Sequence, residues 1–425
     1  MQPIPLYLGL DFGTSGARAI LIDDQNQIVT QAHCTYDIRD WFSWLRALQW
    51  LCASLPANLR QRISSIAIDG TSSTLLLCDE RNTPLASPML YNDACATEQL
   101  AQIAAHAPDG HTVRSATSSL AKLLYLRQRH PLEVRGYCSD QASWLAAMLT
   151  GRPGISDYHN ALKLGYDVEA LAWPAWMKTL GVEAFLPEVL VPGTMLGQLT
   201  PEVAHKLDLP KSCVVRAGTT DSIAAFIASG AHTPGTAVTS LGSTLVVKLL
   251  STQRVEDARY GVYSHRFGDL WLAGGASNSG GAALRQYFDD MDLAALSQQI
   301  DPSQDSGLDY YPLPSRGERF PINNPEMVPR TAPRPKSGVA FLHGLLEGIA
   351  RIEARAYALL AELGATPVTQ VLTAGGGSKN SAWAAMRQRL LGVPVQAASQ
   401  DAAAYGAALL AKNGSSLLCL HHYEQ

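Results

Sequence analysis

A chain of 425 residues is longer than one hydrophobic core usually sustains, and 47% hydrophobic with 16% charged residues excludes a disordered chain, so two folded domains are expected. A formal net charge of −4, with no run of consecutive Lys and Arg, excludes the basic face that nucleic acid or an anionic membrane surface requires. Cys34, Cys52, Cys78, Cys95, Cys138, Cys213 and Cys419 are scattered without a C-x-x-C pair, and no apolar run reaches membrane-spanning length; small buried thiols in a cytoplasmic protein are expected.

The first elements read as three strands joined by tight turns, over residues 6–10, 17–22 and 28–30. Asp11-Phe12-Gly13-Thr14-Ser15-Gly16 forms the first turn. Gly13, Thr14 and Ser15 there can bring backbone N–H groups and short hydroxyls onto phosphate oxygens without steric conflict. Asp11, at the end of the preceding strand, can hold Mg²⁺ directly or through water. The same residue types build ordinary hairpin turns, so spacing alone leaves both readings open. The turn is neither a Walker A loop nor a Rossmann fingerprint.

A helix follows over 42–55, then a buried strand over 63–68 ending in Asp69-Gly70-Thr71-Ser72-Ser73. A further strand covers 74–78, and residues 97–149 read as mainly helical. Asp69, Ser72 and Ser73, with Asn92 and Asp93 in Tyr91-Asn92-Asp93, place hydroxyls, an amide and carboxylates where a polyol could be bound; turn chemistry accounts for each cluster taken alone. Residues 223–228 are helical, which puts Asp221 at a helix N-terminus. There it is either an N-cap or a carboxylate that accepts a substrate proton, and spacing does not separate the two.

The second half begins as the first does. Strands over 236–241 and 245–250 flank the turn Gly242-Ser243-Thr244, a weak internal duplication of pattern rather than identity. Two such turns, one per half, fit a nucleotide phosphate chain clamped between domains. Seven prolines between 310 and 336 predict an ordered surface loop without regular structure. A long amphipathic helix over 341–363 closes at Gly364, and a buried strand over 370–373 enters Ala374-Gly375-Gly376-Gly377-Ser378-Lys379-Asn380. Gly375, Gly376 and Gly377 remove side chains where a flat ligand or a ribose could press on the backbone, and Asn380 follows them. A helix over 383–391, a strand over 393–396 and a helix over 402–412 complete the chain; Trp383 reads either as an adenine cover or as core.

Taken together, these segments resemble the FGGY carbohydrate kinases of the actin-like ATPase superfamily, over most of the chain. Residues 8–18 resemble the family's first phosphate motif, 218–224 its catalytic-Asp motif and 240–244 its second phosphate motif. Residues 274–281 resemble a segment near the nucleotide, Gly317-Glu318-Arg319-Phe320-Pro321 the G-E-R-x-P loop, and Leu346-Glu347-Gly348-Ile349-Ala350 the L-E-G-I-A helix. Gly375-Gly376-Gly377 resembles the adenosine motif. The resemblance implies an α/β fold of two ribonuclease-H-like (actin-like ATPase) domains, 1–232 and 233–425, with nucleotide and sugar in the cleft between them. The first domain would carry the sugar side, the first phosphate motif and the catalytic Asp, and the second the nucleotide side.

The activity it implies is ATP-dependent, Mg²⁺-assisted phosphorylation of a sugar hydroxyl. Asp221 would be the general base and Asp11 would organise the metal. Gly13, Thr14, Ser15, Gly242, Ser243, Thr244, Gly375, Gly376, Gly377 and Asn380 would bind ATP. Asp69, Ser72, Ser73, Asn92, Asp93 and Asp221 would bind the sugar. Residues 69–73 look more like the D-A-T-C-S type segment of ribulose-kinase-like members than the S-G-Q segment of xylulose kinases, so D-ribulose is expected first and D-xylulose second. Residues 91–93 resemble a W-x-D-x-R motif but lack its Trp, and Ala96 or Thr97 stands about where its Arg is expected. Another polyol, or a non-kinase actin-like ATPase, is the alternative. The expected partners are small molecules, with neither nucleic acid nor membrane, and a homodimer is left open.

Overall fold

The computed structural model describes residues 4–94, 96–130 and 136–419. Cys95 lies outside the described residues; the other six cysteines are free thiols, and Cys52, Cys78, Cys138 and Cys213 are buried. The chain forms two compact units, one of residues 1–228 with 402–425 and one of 229–401.

The first unit is built on a six-stranded sheet of order β3-β2-β1-β4-β6-β5. Its strands are β1 (Leu6–Gly13), β2 (Gly16–Ile22), β3 (Ile28–Cys34), β4 (Ile63–Gly70), β5 (Met195–Gln198) and β6 (Val214–Thr220). β1, β2 and β3 are an antiparallel meander, while β4 and β6 run parallel to β1. A strand covered on both faces needs apolar residues throughout, and β1, LYLGLDFG, is buried at all but one position. Leu6, Leu8, Leu10 and Phe12 pack into a core shared with α1 (Trp41–Ser54), whose Trp44, Leu48 and Leu51 face the sheet, and α2 (Gln141–Thr150). Asp40 caps α1 and Asp140 caps α2, each accepting a backbone N–H of the first turn. α3 (Asp221–Ala228) starts where β6 ends.

Between β4 and α2 the chain forms helices Gln99–Ala104 and Ser119–Arg129 and a two-stranded ribbon, Leu75–Asp79 against Gly136–Asp140. The mainly helical reading of 97–149 is corrected here. Residues 136–140 are a strand because Tyr137, Cys138 and Ser139 complete the ladder of Leu76, Leu77 and Cys78, and five residues are too few for their period to be read.

The second unit repeats the arrangement. Its strands are β7 (Thr236–Leu241), β8 (Leu245–Ser251), β9 (Tyr263–Phe267), β10 (Leu270–Ser277), β11 (Gln370–Ala374) and β12 (Val395–Ala397), in the order β9-β10-β8-β7-β11-β12. β7, β8 and β10 form the antiparallel meander, and β11 and β12 run parallel to β7. The duplication visible in sequence as two similar turns is thus a shared ribonuclease-H-like topology. α4 (Gly338–Glu362) lays Leu342, Leu345, Leu346 and Ile349 on this sheet, and α5 (Ser381–Leu391) packs beside it. The proline-dense stretch has no helix or regular strand, yet bridges Tyr311–Arg330 and Glu318–Asn324 hold it in place.

The last helix, α6 (Ala403–Asn413), lies on the first unit. It crosses β1 and α3 at near backbone contact: a Cβ on Gly9 would stand 1.9 Å from the Ala404 carbonyl oxygen, and one on Gly406 1.8 Å from that of Ala224. A division at residue 232 assigned this helix to the second domain. Its packing assigns it to the first, a placement that local pattern does not encode.

Candidate active site

In the first unit three carboxylates converge at the ends of β1, β4 and β6. Asp11 and Asp69 are register partners on adjacent parallel strands, and Asp69 is also paired with Thr219 of β6. On the other side Arg18 of β2 stands opposite Asp11 and donates from Nη1 to its Oδ2 at 3.1 Å. A row Arg18–Asp11–Asp69–Thr219 therefore crosses the sheet, and His159 Nδ1 lies 2.7 Å from Thr219 Oγ1 at its end. Asp11 is 3% exposed and Asp69 0%.

Neither Asp69 oxygen meets an N–H or O–H donor among the described residues. Its carboxyl meets that of Asp11, a contact that becomes a hydrogen bond when one of the two is protonated. Burial, then the charges of Asp11 and Asp221, hold the Asp69 carboxyl well above the usual range. Burial also raises Asp11, against the opposing pull of its neighbours Asp69 and Arg18. Asp221, half-buried, opens α3, and its Oδ1 accepts the Ser222 N–H at 2.6 Å. The N-cap-like and functional readings are both compatible with this position at the start of α3.

Acidic oxygens in this density suit a hard divalent cation. Among the described residues no group of three or more His, Cys, Asp or Glu side chains is arranged as a metal cage. Asp11, held by Arg18 at the end of β1, could bind such a cation together with water and phosphate oxygens.

The turn after β1 is a two-residue hairpin closed by the Gly13–Gly16 pair, with Thr14 and Ser15 exposed. The sugar-side residues divide. Ser72 is half-buried, whereas Asp69 is 0% exposed, its carboxyl beside those of Asp11 and Asp221. Ser73 is in the left-handed region (φ 66°), with its hydroxyl 2.9 Å from the Thr117 carbonyl and 3.0 Å from Ser119 Oγ. Its carbonyl accepts from Lys122 Nζ at 2.7 Å. Asp93 takes a bidentate pair from Arg39 (2.8 and 3.1 Å) and the Leu90 N–H, which hold its carboxyl below the usual range; Asn92 is exposed beside it. Ser73 and Asp93 thus carry internal bonds that shape their loops.

In the second unit a cavity of about 740 Å³ is lined by Gly242, Ser243, Gly376, Gly377, Asn380 and Trp383, among others. The Gly242–Thr244 turn rests on the segment after β10: Gly281 and Ala282 donate their N–H groups to the carbonyls of Gly242 and Ser243 at 2.9 and 3.0 Å. Glu318 anchors that segment from below, accepting from Ser277 Oγ (2.6 Å), the Asn278 N–H (2.8 Å) and the Tyr311 hydroxyl (2.9 Å). Gly376 faces open space, so a flat ligand can lie on its backbone. Gly375 donates its N–H to Asp401 at 2.9 Å. Asn380 caps α5 and donates to Ser297 Oγ at 2.8 Å. Trp383 is 4% exposed and bonds the Leu346 carbonyl at 2.9 Å, so it is chiefly core, with one edge under Gly377.

Residues 6–228 match the model of the N-terminal domain of the FGGY family of carbohydrate kinases, and residues 237–413 that of its C-terminal domain. The chain belongs to the FGGY family of carbohydrate kinases. Among relatives of this FGGY kinase, a xylulose kinase from Streptomyces coelicolor is 25% identical over 92% of this chain and 84% of its own. A gluconokinase from Bacillus subtilis is 21% identical over 89% and 81%. Among solved structures, a xylulose kinase from Brucella ovis superposes with a TM-score of 0.86 at 25% identity, over 97% of this chain and 90% of its own. A gluconate kinase from Lactobacillus acidophilus, 17% identical over 98% and 90%, shares the fold with a TM-score of 0.84. As a family member the chain transfers a phosphoryl group to a sugar hydroxyl. Among the described residues no helix of this FGGY kinase is long and apolar enough to cross a membrane.

Sequence reading passed over Lys122, Tyr36 and Gln141 as site elements. Lys122 had a signal: a cation within the apolar run SLAKLLYL of its helix, where it is 0% exposed. Tyr36 and Gln141 had none, because their partners lie far away in sequence.

Proposed function

We propose that this kinase transfers the γ-phosphoryl group of ATP to a hydroxyl of a ketopentose, with Asp221 as general base. The observation that carries the reading is a half-buried carboxylate at the start of α3 beside the buried Asp11–Asp69 pair. Asp221 accepts the proton of the attacking hydroxyl as the new P–O bond forms and the bond to the β-phosphate oxygen breaks, leaving ADP. Arg18 fixes the Asp11 carboxylate, and Asp69 backs it. A divalent cation at Asp11 would supply charge neutralisation to the phosphate oxygens. The exposed Thr14–Ser15 turn offers hydroxyls and backbone N–H groups to phosphate, and the Gly242–Thr244 turn does so in the second unit. The cavity over Gly376 and Gly377 takes the nucleoside. Ser72 is the sugar contact that the first unit leaves half-exposed.

Between pentuloses, the Asp69–Ser73 segment favours D-ribulose, whereas the relatives named xylulose kinase favour D-xylulose. The two sugars differ only in configuration at C3, so one assay separates them. ADP release from ATP and Mg²⁺ is measured with each pentulose, with gluconate and glycerol, and without sugar. Stimulation by D-ribulose above D-xylulose is expected; the reverse order overturns the ribulose preference, and equal hydrolysis with and without every acceptor overturns the reading.

A further inference from the structure

Backbone pairing between β1 and β4 ends at Phe12–Gly70. The next residue on each strand, Gly13 and Thr71, belongs to the phosphate-side turn and the sugar-side loop respectively. Those two residues are joined by side chains. Tyr36, edge-on to Phe12 with ring centroids 5.7 Å apart, donates its hydroxyl to the Gly13 carbonyl at 2.7 Å. The same hydroxyl oxygen accepts from Gln141 Nε2 at 3.2 Å. Gln141 Oε1 accepts both the Thr71 N–H and the Thr71 hydroxyl, each at 3.1 Å.

The bridge is built rather than incidental. Gln141 is 0% exposed, and its position is set by the Asp140 cap at the start of α2. Gly70 leaves it room, since a Cβ there would stand 3.1 Å from Gln141 Oε1 and 3.2 Å from the Ala142 nitrogen. On the far side of the loop Thr71 Oγ1 lies 2.5 Å from Thr74 Oγ1, and Lys122 holds the Ser73 carbonyl. Burial and the charges of Asp11, Asp221 and Asp69 push the Tyr36 phenol upward, against the Gln141 bond, which favours its protonated, donating form.

We propose that Tyr36 and Gln141 are positioning residues of the kinase, extending the β1–β4 pairing one step beyond its ladder so that the phosphate turn and the sugar loop keep a fixed separation. This rests on the functional reading of those two segments. A bridge of this kind acts on alignment rather than on the affinity of either substrate alone, because the Tyr36 hydroxyl and both ends of the Gln141 amide are bonded to the protein.

The test compares full-length Tyr36→Phe, Gln141→Glu and the double variant by steady-state kinetics and amide hydrogen exchange. Gln141→Glu keeps the acceptor for Thr71 but removes the donor to Tyr36 and draws the phenol proton away from Gly13. Each single variant is expected to lose about 10-fold in kcat, with both KM values within about 2-fold of the parent, and the double variant to be no slower than either. Exchange should rise in Tyr36→Phe at residues 13–16 and also at 71–74. Unchanged kcat in both single variants, losses that multiply, or a rise confined to 13–16 would overturn the proposal. Should Tyr36→Phe not fold, Gln141→Glu carries the same test. If the parent protein phosphorylates none of the sugars, the functional reading fails by itself, and exchange at 71–74 alone decides the bridge.

Discussion

Asp221 offers one carboxylate oxygen to the Ser222 N–H, which fixes its orientation at the start of α3. Replacement by Asn keeps that bond and removes the base. Asp221→Asn should therefore lower kcat by roughly 10²–10⁴ while nucleotide affinity, read by calorimetry, stays close to the parent's; near-normal turnover would remove Asp221 from the role. A second carboxylate makes a different prediction. Asp157 is wholly buried and accepts from the N–H groups of His159 and Asn160 and from Asn160 Nδ2. Burial, with the charge of Asp140, nevertheless pushes it up to about 7 from 3.8. A raised carboxyl binds its proton more tightly in the folded state, so its contribution to stability is full below the unfolded value and is lost as pH rises through about 7. The melting temperature of the first unit should fall between pH 5 and pH 8, and Asp157→Asn should flatten that slope. An unchanged slope would contradict the assignment.

At the scale of elements, α3 and α6 meet where Gly406 lies against the Ala224 carbonyl. Gly406→Val cannot fit without moving one helix, and overpacking of this kind costs typically about 1–3 kcal/mol. Because α3 carries Asp221, the variant should lose turnover as well as melting temperature, whereas a helix pair unrelated to the site would lose only the second. In the second unit α4 and α5 are joined by Glu353 and Arg387, both buried, through bonds of 2.6 and 2.7 Å; Thr239 and Thr373 satisfy further positions. Removing one partner strands a buried charge, so Arg387→Ala should cost about 3–5 kcal/mol. Glu353→Gln with Arg387→Met should cost much less, and a chemical-denaturation series reads the difference.

Over the whole molecule, strands and turns with a short period were readable: 6–10, 17–22, 236–241 and 245–250 fall within β1, β2, β7 and β8. Motif residues at turns were readable too, since their types are set by local geometry. What local pattern could not supply were pairings across long sequence distances. The strand at 136–140 depends on residues 75–79, the engagement of Asp93 depends on Arg39, and the seat of α6 depends on Gly9 and Gly406. Asp69 illustrates the same limit: its sequence neighbours announce a polar loop, but its burial follows from lying between β1 and β6.

The return of α6 to the first unit also sets an order in time. A ribosome has to finish the whole of 229–401 before it makes the helix that covers Gly9 and braces α3. Domains generally fold as units, the N-terminal one first, yet here the earlier-made unit waits for a segment made after 229–401. Until then one face of β1 lacks its cover, which makes the nascent chain a candidate for chaperone capture. A released chain truncated after residue 401 should remain protease-sensitive within 1–228 while 229–401 is resistant, and restoring 402–425 should close that window.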